Sequence, residues 1–90
     1  MYQFYTVEIT KDAAGEMAHD VKWHYDADAD KAQLKGEAAY HGIMSRAAVS
    51  EFAEHAAILF SSEGFPLMHG CYKHTVQAAP AEETGGGDAE

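Results

Sequence analysis

The segment DADADKAQLKGEAAYHGIM, residues 26–44, separates two stretches rich in β-forming residues and predicts a helix. Asp30 and Gln33 have the spacing of a capping box, so we expect Asp30 to be the N-cap. Gly36 costs about 1 kcal/mol relative to Ala inside a helix, and we expect this small residue to let the helix lie close to a sheet. The expected apolar face recurs at helical spacing and comprises Ala32, Gly36, Ala39, Tyr40, Ile43 and Met44.

Two strands joined by a tight turn are predicted before the helix. Residues 2–10, YQFYTVEIT, are rich in aromatic and β-branched side chains. Residues 17–25 alternate between apolar and polar side chains, which is typical of a strand with one buried face. The turn falls in residues 11–15, KDAAG, where Gly15 can adopt a positive φ.

The faces of this hairpin follow from the alternation. We expect Val21, Trp23 and Tyr25 to lie on the buried face, because they alternate with charged and histidine side chains. Tyr2 and Phe4 would then lie on the outer face as an additional apolar patch. Such a patch is typical of a surface that contacts a partner subunit.

The segment after the helix is ambiguous between two structures. Residues 45–62 match a second amphipathic helix, yet residues 56–61 also match a short buried strand. The turn-forming SSEG at residues 61–64 lies between two apolar runs, which favours a second hairpin. Pro66 cannot donate a backbone hydrogen bond, so the last strand is predicted to be an edge strand.

These elements predict an α+β domain over residues 1–74 with the order ββαββ. We expect a four-stranded antiparallel sheet in the order 2-1-3-4, packed on one helix. Residues 75–90 are polar, acidic and glycine-rich, and they predict a disordered acidic tail. One sheet face would remain bare, which predicts a homo-oligomer, most simply a homodimer.

Charge and cysteine content exclude several classes of protein. The formal net charge of −9 repels a nucleic-acid backbone, so duplex nucleic acid is not an expected partner. Cys71 is the only cysteine, which is typical of a reducing compartment. We expect no signal peptide and no membrane span, and we expect a cytoplasmic protein.

Histidine is abundant, with six residues, but the spacing of metal and catalytic motifs is missing. His69 and Cys71 lie two residues apart on one predicted strand and could form half of a zinc or copper site. Packing against the helix or a partner is the simpler interpretation. Cys71 with His41 or His69 is the one candidate for nucleophilic catalysis. We expect no metal, no cofactor and no enzymatic activity.

A resemblance to known proteins covers most of residues 1–74. It consists of an opening β-hairpin of the YxF type and the matching residues Ala39-Tyr40-His41, Met44, Gly64 and Tyr72-Lys73-His74. In this pattern the chain resembles short uncharacterised ββαββ proteins encoded in phage and prophage regions of Firmicutes genomes. Those proteins often end the last strand with a Trp and a charged pair, whereas this chain has Tyr72. The resemblance implies a phage-type accessory protein acting in the cytoplasm of an infected or lysogenic cell.

Two functions are predicted. The first is a non-enzymatic interaction module that binds a host or phage protein. The second is a small-molecule binder, such as a sponge that sequesters a nucleotide-derived immune signal. An anionic ligand would require several basic residues in one pocket, drawn from Lys22, Lys31, Lys35, Arg46 and Lys73. The candidate binding residues are Tyr2, Phe4, Tyr40, His41 and Lys73.

Overall fold

The computed structural model describes residues 1–74 and contains four strands and one helix. The elements in chain order are β1 (Tyr2–Lys11), β2 (Met17–Asp26), α1 (Ala29–Ala48), β3 (Glu54–Ser61) and β4 (Pro66–Lys73). The strands form one antiparallel sheet in the order β2-β1-β3-β4, and α1 packs on one of its faces. This confirms the predicted ββαββ architecture and strand order. The disorder predicted for residues 75–90 lies outside the described residues.

Both hairpins close through a glycine with positive φ. Gly15 has a φ of +90° in the first turn, and Gly64 has a φ of +92° in the second. The Asp12 carboxylate accepts a hydrogen bond of 2.9 Å from the Glu16 backbone N–H, which closes the first turn. The second hairpin confirms the strand interpretation of the ambiguous segment, and Pro66 begins an edge strand as predicted.

The N-cap of the helix lies two residues before the predicted one. Asp28, with extended backbone angles, is the N-cap, and its carboxylate accepts a 3.0 Å hydrogen bond from the Lys31 N–H. Asp30 lies inside the first turn, so its prediction as the cap was wrong. Asp26, Asp28 and Asp30 carry the same side chain, so the sequence alone does not show which of them caps the helix. The extended backbone conformation of Asp28 identifies it as the cap. The helix also extends beyond residue 44, to Ala48.

Asp26 connects the end of β2 to the helix. Its carboxylate accepts a 2.9 Å hydrogen bond from the Asp28 N–H and pairs with Lys35 Nζ at 3.0 Å. These contacts, with the Asp28 N–H as the largest cause, lower the pKa of the Asp26 carboxyl below its ordinary value. The hydrogen bond from the Asp28 N–H and the ion pair with Lys35 each stabilise negative charge on the Asp26 carboxylate, so each favours its ionised form.

The core lies between α1 and the two central strands. Thr6 of β1 and Leu59 of β3 are opposite each other in the register and are fully buried beneath the helix. Gly36 lies directly above Leu59, which confirms the expected close approach of helix and sheet. The buried helix residues are Ala32, Gly36, Tyr40, Ile43 and Ala47. Phe4, Met44 and Met68 pack around this core.

The two faces of the sheet are the reverse of those predicted. Phe4 packs against the core on the helix side, whereas Trp23 and Tyr25 lie on the side away from the helix and are about half exposed. The prediction assumed that the more apolar face of the hairpin is the buried one. The helix contacts all four strands, the two central ones most. The helix-side residues of β2 are nevertheless polar, as Asp20 and Lys22 are, whereas β4 places Met68 against the core.

Candidate functional site: the open face of the sheet

The face of the sheet opposite α1, called the open face below, carries most of the exposed apolar surface that the strands present. Strand alternation and the observed register define it. Its apolar members are Tyr5, Val7 and Ile9 of β1, Val21, Trp23 and Tyr25 of β2, and Ala56, Ile58 and Phe60 of β3. The β4 residues on this face are His69, Cys71 and Lys73.

A row of three aromatic rings crosses the open face. Tyr5 on the inner strand lies between Trp23 and Phe60, its partners in the register on either side. The ring centroids of Tyr5 and Trp23 are 4.6 Å apart, and those of Tyr5 and Phe60 are 4.9 Å apart with planes only 16° from parallel. Aromatic pairs at these separations stabilise a sheet beyond their buried area. The row is therefore a rigid element of the surface.

Side chains on the edge strand continue this apolar surface. Val21 is 50% exposed, Trp23 is 44% exposed and Tyr25 is 46% exposed. Val21 pairs with Val7 in the register, and Val7 pairs with Ile58, so an aliphatic row runs parallel to the aromatic one. The open face therefore presents a contiguous apolar patch that is about half exposed on β2.

Charged groups on the open face are confined to one end. Lys11 of β1 and Glu54 of β3 pair at 3.7 Å, and Lys73 follows opposite Glu54 on β4. Both members of this ion pair are substantially exposed, so the pair adds little to stability. The remainder of the face carries no charged side chain apart from any protonated histidine.

His69 and Cys71 share the open face, as the sequence predicted. They lie opposite Ile58 and Ala56 of β3, and both are exposed on an edge strand. Within residues 1–74, no group of three or more His, Cys, Asp or Glu side chains is arranged to hold a metal ion. His41 lies on α1, on the other side of the sheet, so the structure separates it from Cys71.

A polar cluster beneath the helix was not foreseen from the sequence. His55 is 4% exposed, and its Nε2 lies 2.6 Å from Glu8 Oε2. The other oxygen of Glu8 accepts a 3.2 Å hydrogen bond from Arg46 of α1. No side-chain or backbone partner reaches the buried Nδ1 of His55 within the described residues. Glu8 and His55 are far apart in sequence, so only the pairing of β1 with β3 reveals the cluster.

A small cleft adjoins this cluster, between α1 and the first hairpin. It has a volume of about 170 Å³, and its charged lining consists of Glu8, Asp20, Lys22 and Arg46. Two basic and two acidic side chains balance each other there, so the cleft does not form a basic pocket. Lys31 and Lys35 lie elsewhere, beside Asp26 on a shallow surface depression.

His24 lies at the helix side of β2. Its Nε2 is 3.0 Å from the hydroxyl oxygen of the buried Thr6. Partial burial lowers the pKa of His24 below its ordinary value, and the charge of nearby Lys22 lowers it further. Both effects disfavour the imidazolium form, so this environment favours the neutral imidazole of His24.

The five residues predicted as a binding site are not brought together. Phe4 and Tyr40 belong to the core, and the placement of Phe4 on a bare outer face was wrong. His41 is exposed on α1, with its ring centroid 5.3 Å from that of Tyr40. Tyr2 pairs with Asp26, whereas Lys73 pairs with Glu54, so these two lie at opposite ends of the sheet. Sequence reasoning identified the alternation that produces the open face but assigned it to the core.

The comparisons with known proteins yield no match to a protein-family model, a curated protein or a solved structure. Among residues 1–74, no helix is both long and apolar enough to cross a membrane.

Proposed function

We propose that this chain is a non-enzymatic protein-interaction module whose binding surface is the open face. The observation that carries the proposal is the half-exposed apolar set Val21, Trp23 and Tyr25 on an edge strand. Exposed apolar area costs about 25 cal/mol per Å² in water relative to a buried state. A partner that covers these side chains recovers that free energy.

The arrangement of reactive side chains supports binding over catalysis. Nucleophilic catalysis requires a base within hydrogen-bond reach of the nucleophile. Cys71 Sγ lies 3.7 Å from the Tyr72 carbonyl oxygen, and within residues 1–74 no hydrogen bond joins it to His69 on the same face. The buried His55 and its partner Glu8 lie on the helix side of the sheet. The balanced charges around the 170 Å³ cleft also give the small-molecule hypothesis less support than the apolar face gives protein binding.

The phage-type, cytoplasmic setting remains part of the proposal and is carried by the resemblance alone. The residues behind that resemblance have roles in the fold. Tyr40 is a core residue, Met44 packs beside it, and Gly64 adopts the positive φ of the second turn. His74 Nε2 lies 2.7 Å from the carbonyl oxygen of Ala47 at the end of α1. The shared pattern therefore argues for a shared fold more than for a shared binding site.

Site-specific photo-crosslinking in producing cells tests the proposed function. Benzoylphenylalanine is introduced at position 21 on the open face and, as a matched control, at position 34 on the outer surface of α1. Val21 and Leu34 are similarly exposed, at 50% and 60%. We expect one discrete protein adduct from position 21 and none from position 34, with the adduct identified by mass spectrometry. No adduct from position 21, or the same adducts from both positions, would contradict the proposal.

A further inference from the structure

We propose that the partner of the open face is the open face of a second copy of this chain, so that two sheets pack into a β-sandwich homodimer. This inference rests on the proposed function, because it names the partner of the same surface. Three properties of the open face argue for it: the width of its apolar pattern, its area and its distribution of charge.

The apolar pattern of the open face spans three neighbouring strands. The edge strand β2 carries Asp20, Lys22 and His24 on the helix side but Val21 and Trp23 on the open face. The other edge strand, β4, has the reverse distribution, with Met68 and Tyr72 on the helix side and His69, Cys71 and Lys73 on the open face. The exposed apolar surface therefore runs over β2, β1 and β3. A second sheet covers three strands at once, whereas a helix is only about 10–12 Å wide.

The area of the open face reaches the lower limit for a dimer. Four strands about 4.8 Å apart span about 19 Å, and eight residues rising about 3.3 Å each span about 26 Å, which encloses roughly 500 Å². Two copies that cover the whole face, including the polar side chains of β4, bury roughly 1,000 Å² in total, which is the lower limit for a specific interface. We therefore expect a dimer that dissociates on dilution.

The distribution of charge allows two acidic chains to meet at this surface. The chain has a formal net charge of −9, so two copies repel each other in general. On the open face of the described residues, Glu54 is the one carboxylate, and it is paired with Lys11. Glu8, Asp20 and Asp26 lie on the helix side. Within the described residues, contact through the open face therefore brings only the paired carboxylate of Glu54 to the interface.

The symmetry of such a pair agrees with the shape of a sheet. A two-fold axis brings the same patch of both copies together, so the patch must be complementary to itself. Sheets pack face to face with their strands within about 30° because each has the same twist. Two copies of one sheet meet this condition automatically, and the stacked rings of Tyr5 and Phe60 supply a rigid surface for each other.

Analytical ultracentrifugation of the full 90-residue chain tests the inference, with the emission of Trp23, the only tryptophan, as a second measurement. We expect a species of twice the 9.8 kDa chain mass that dissociates on dilution, with the emission shifting to longer wavelength as Trp23 becomes exposed. The variant Val21→Glu places an unpaired charge in the interface, so its dissociation constant should rise at least about 100-fold. The control Leu34→Glu, on the helix, should stay within about twofold of wild type.

The outcomes separate this inference from the proposed function. A wild-type chain that remains monomeric, or a Val21→Glu variant that dimerises as tightly as wild type, overturns the homodimer. An adduct from position 21 with a different protein alone overturns the homodimer but leaves the interaction module standing. The absence of any adduct overturns the interaction module. The wild-type mass and emission need no variant, so a poorly folded variant does not remove the test.

Discussion

Gly36 of α1 lies so close to Leu59 of β3 that a Cβ atom on Gly36 would be only 2.7 Å from Leu59 Cδ1. Leu59 is fully buried, so its side chain can move only by displacing other core residues. The hydrogen of this one glycine therefore sets the distance between the helix and the sheet.

The first prediction concerns that contact. Gly36→Ala should lower the free energy of unfolding by about 1–3 kcal/mol through overpacking, even though alanine is the better helix former. Gly42→Ala, on the same helix, is the matched control, because its nearest atom would be Arg46 Nη1 at 3.9 Å. It should raise stability by up to about 1 kcal/mol. Urea denaturation measures the change in the free energy of unfolding for each variant, which we expect to be a loss for Gly36→Ala and a gain for Gly42→Ala. The same change in both variants would contradict the close-packing argument.

The second prediction concerns the buried His55. Glu8→Ala removes the carboxylate that lies 2.6 Å from His55 Nε2, so a buried polar group loses its partner. The expected loss in the free energy of unfolding is about 1–3 kcal/mol. Arg46→Ala removes the other partner of Glu8, but Arg46 is largely exposed, and its loss should cost less than about 1 kcal/mol. Urea denaturation at neutral pH compares the two variants, and a larger cost for Arg46→Ala would show that His55 does not depend on Glu8.

The third prediction is a pH dependence that arises from His24. Because burial and Lys22 lower the pKa of His24 in the folded chain, the unfolded chain binds this proton more readily. Stability should therefore fall as the pH drops below the ordinary imidazole pKa of 6.5, and the loss should level off below the lowered value. The variant His24→Gln should lack this part of the profile. Melting temperatures between pH 8 and pH 5 provide the measurement.

The control for this pH profile is His41→Gln, which changes an exposed histidine on α1. It should retain the wild-type fall in melting temperature below pH 6.5. A His24→Gln variant with the same pH profile as wild type would contradict the assignment to His24.

The fourth prediction concerns Trp23, which the sequence placed in the core. Since Trp23 is 44% exposed, Trp23→Ala should cost only about 1–2 kcal/mol in a dilute, monomeric sample, mostly through the lost contact with Tyr5. Leu59→Ala, in the core, should cost about 2–5 kcal/mol. Urea denaturation at low protein concentration compares the two. A loss at Trp23 as large as that at Leu59 would indicate that the ring is covered even in the monomer.

The architecture was predictable from the sequence because its signals are local. Turn chemistry around Gly15 and Gly64, helical spacing over Ala32 to Met44 and the alternation in β2 each depend on neighbouring residues. These predicted ββαββ, and the structure confirms it. Short turns determine the pairing within each hairpin, and the return of the chain through α1 favours the antiparallel pairing of β1 with β3.

The candidate site was less predictable because it depends on which face of the sheet α1 covers. Alternation shows that Val21 and Trp23 share a face, but it does not show which face α1 covers. The apolar face was assigned to the core, as hydrophobicity alone favours. The Glu8–His55 contact was also beyond prediction, because no local pattern relates residues in β1 and β3.

The position of β1 in the middle of the sheet has a consequence for how the chain folds. Each hairpin pairs strands that are neighbours in sequence, so each can begin to form locally. The sheet is complete only when β1 pairs with β3, which brings Thr6 opposite Leu59 from nearly opposite ends of the described chain. Closing so long a loop is the slow step for such topologies. Substitutions of residues that pair β1 with β3 should therefore slow refolding. Substitutions at the outer edge of β4 should mainly accelerate unfolding.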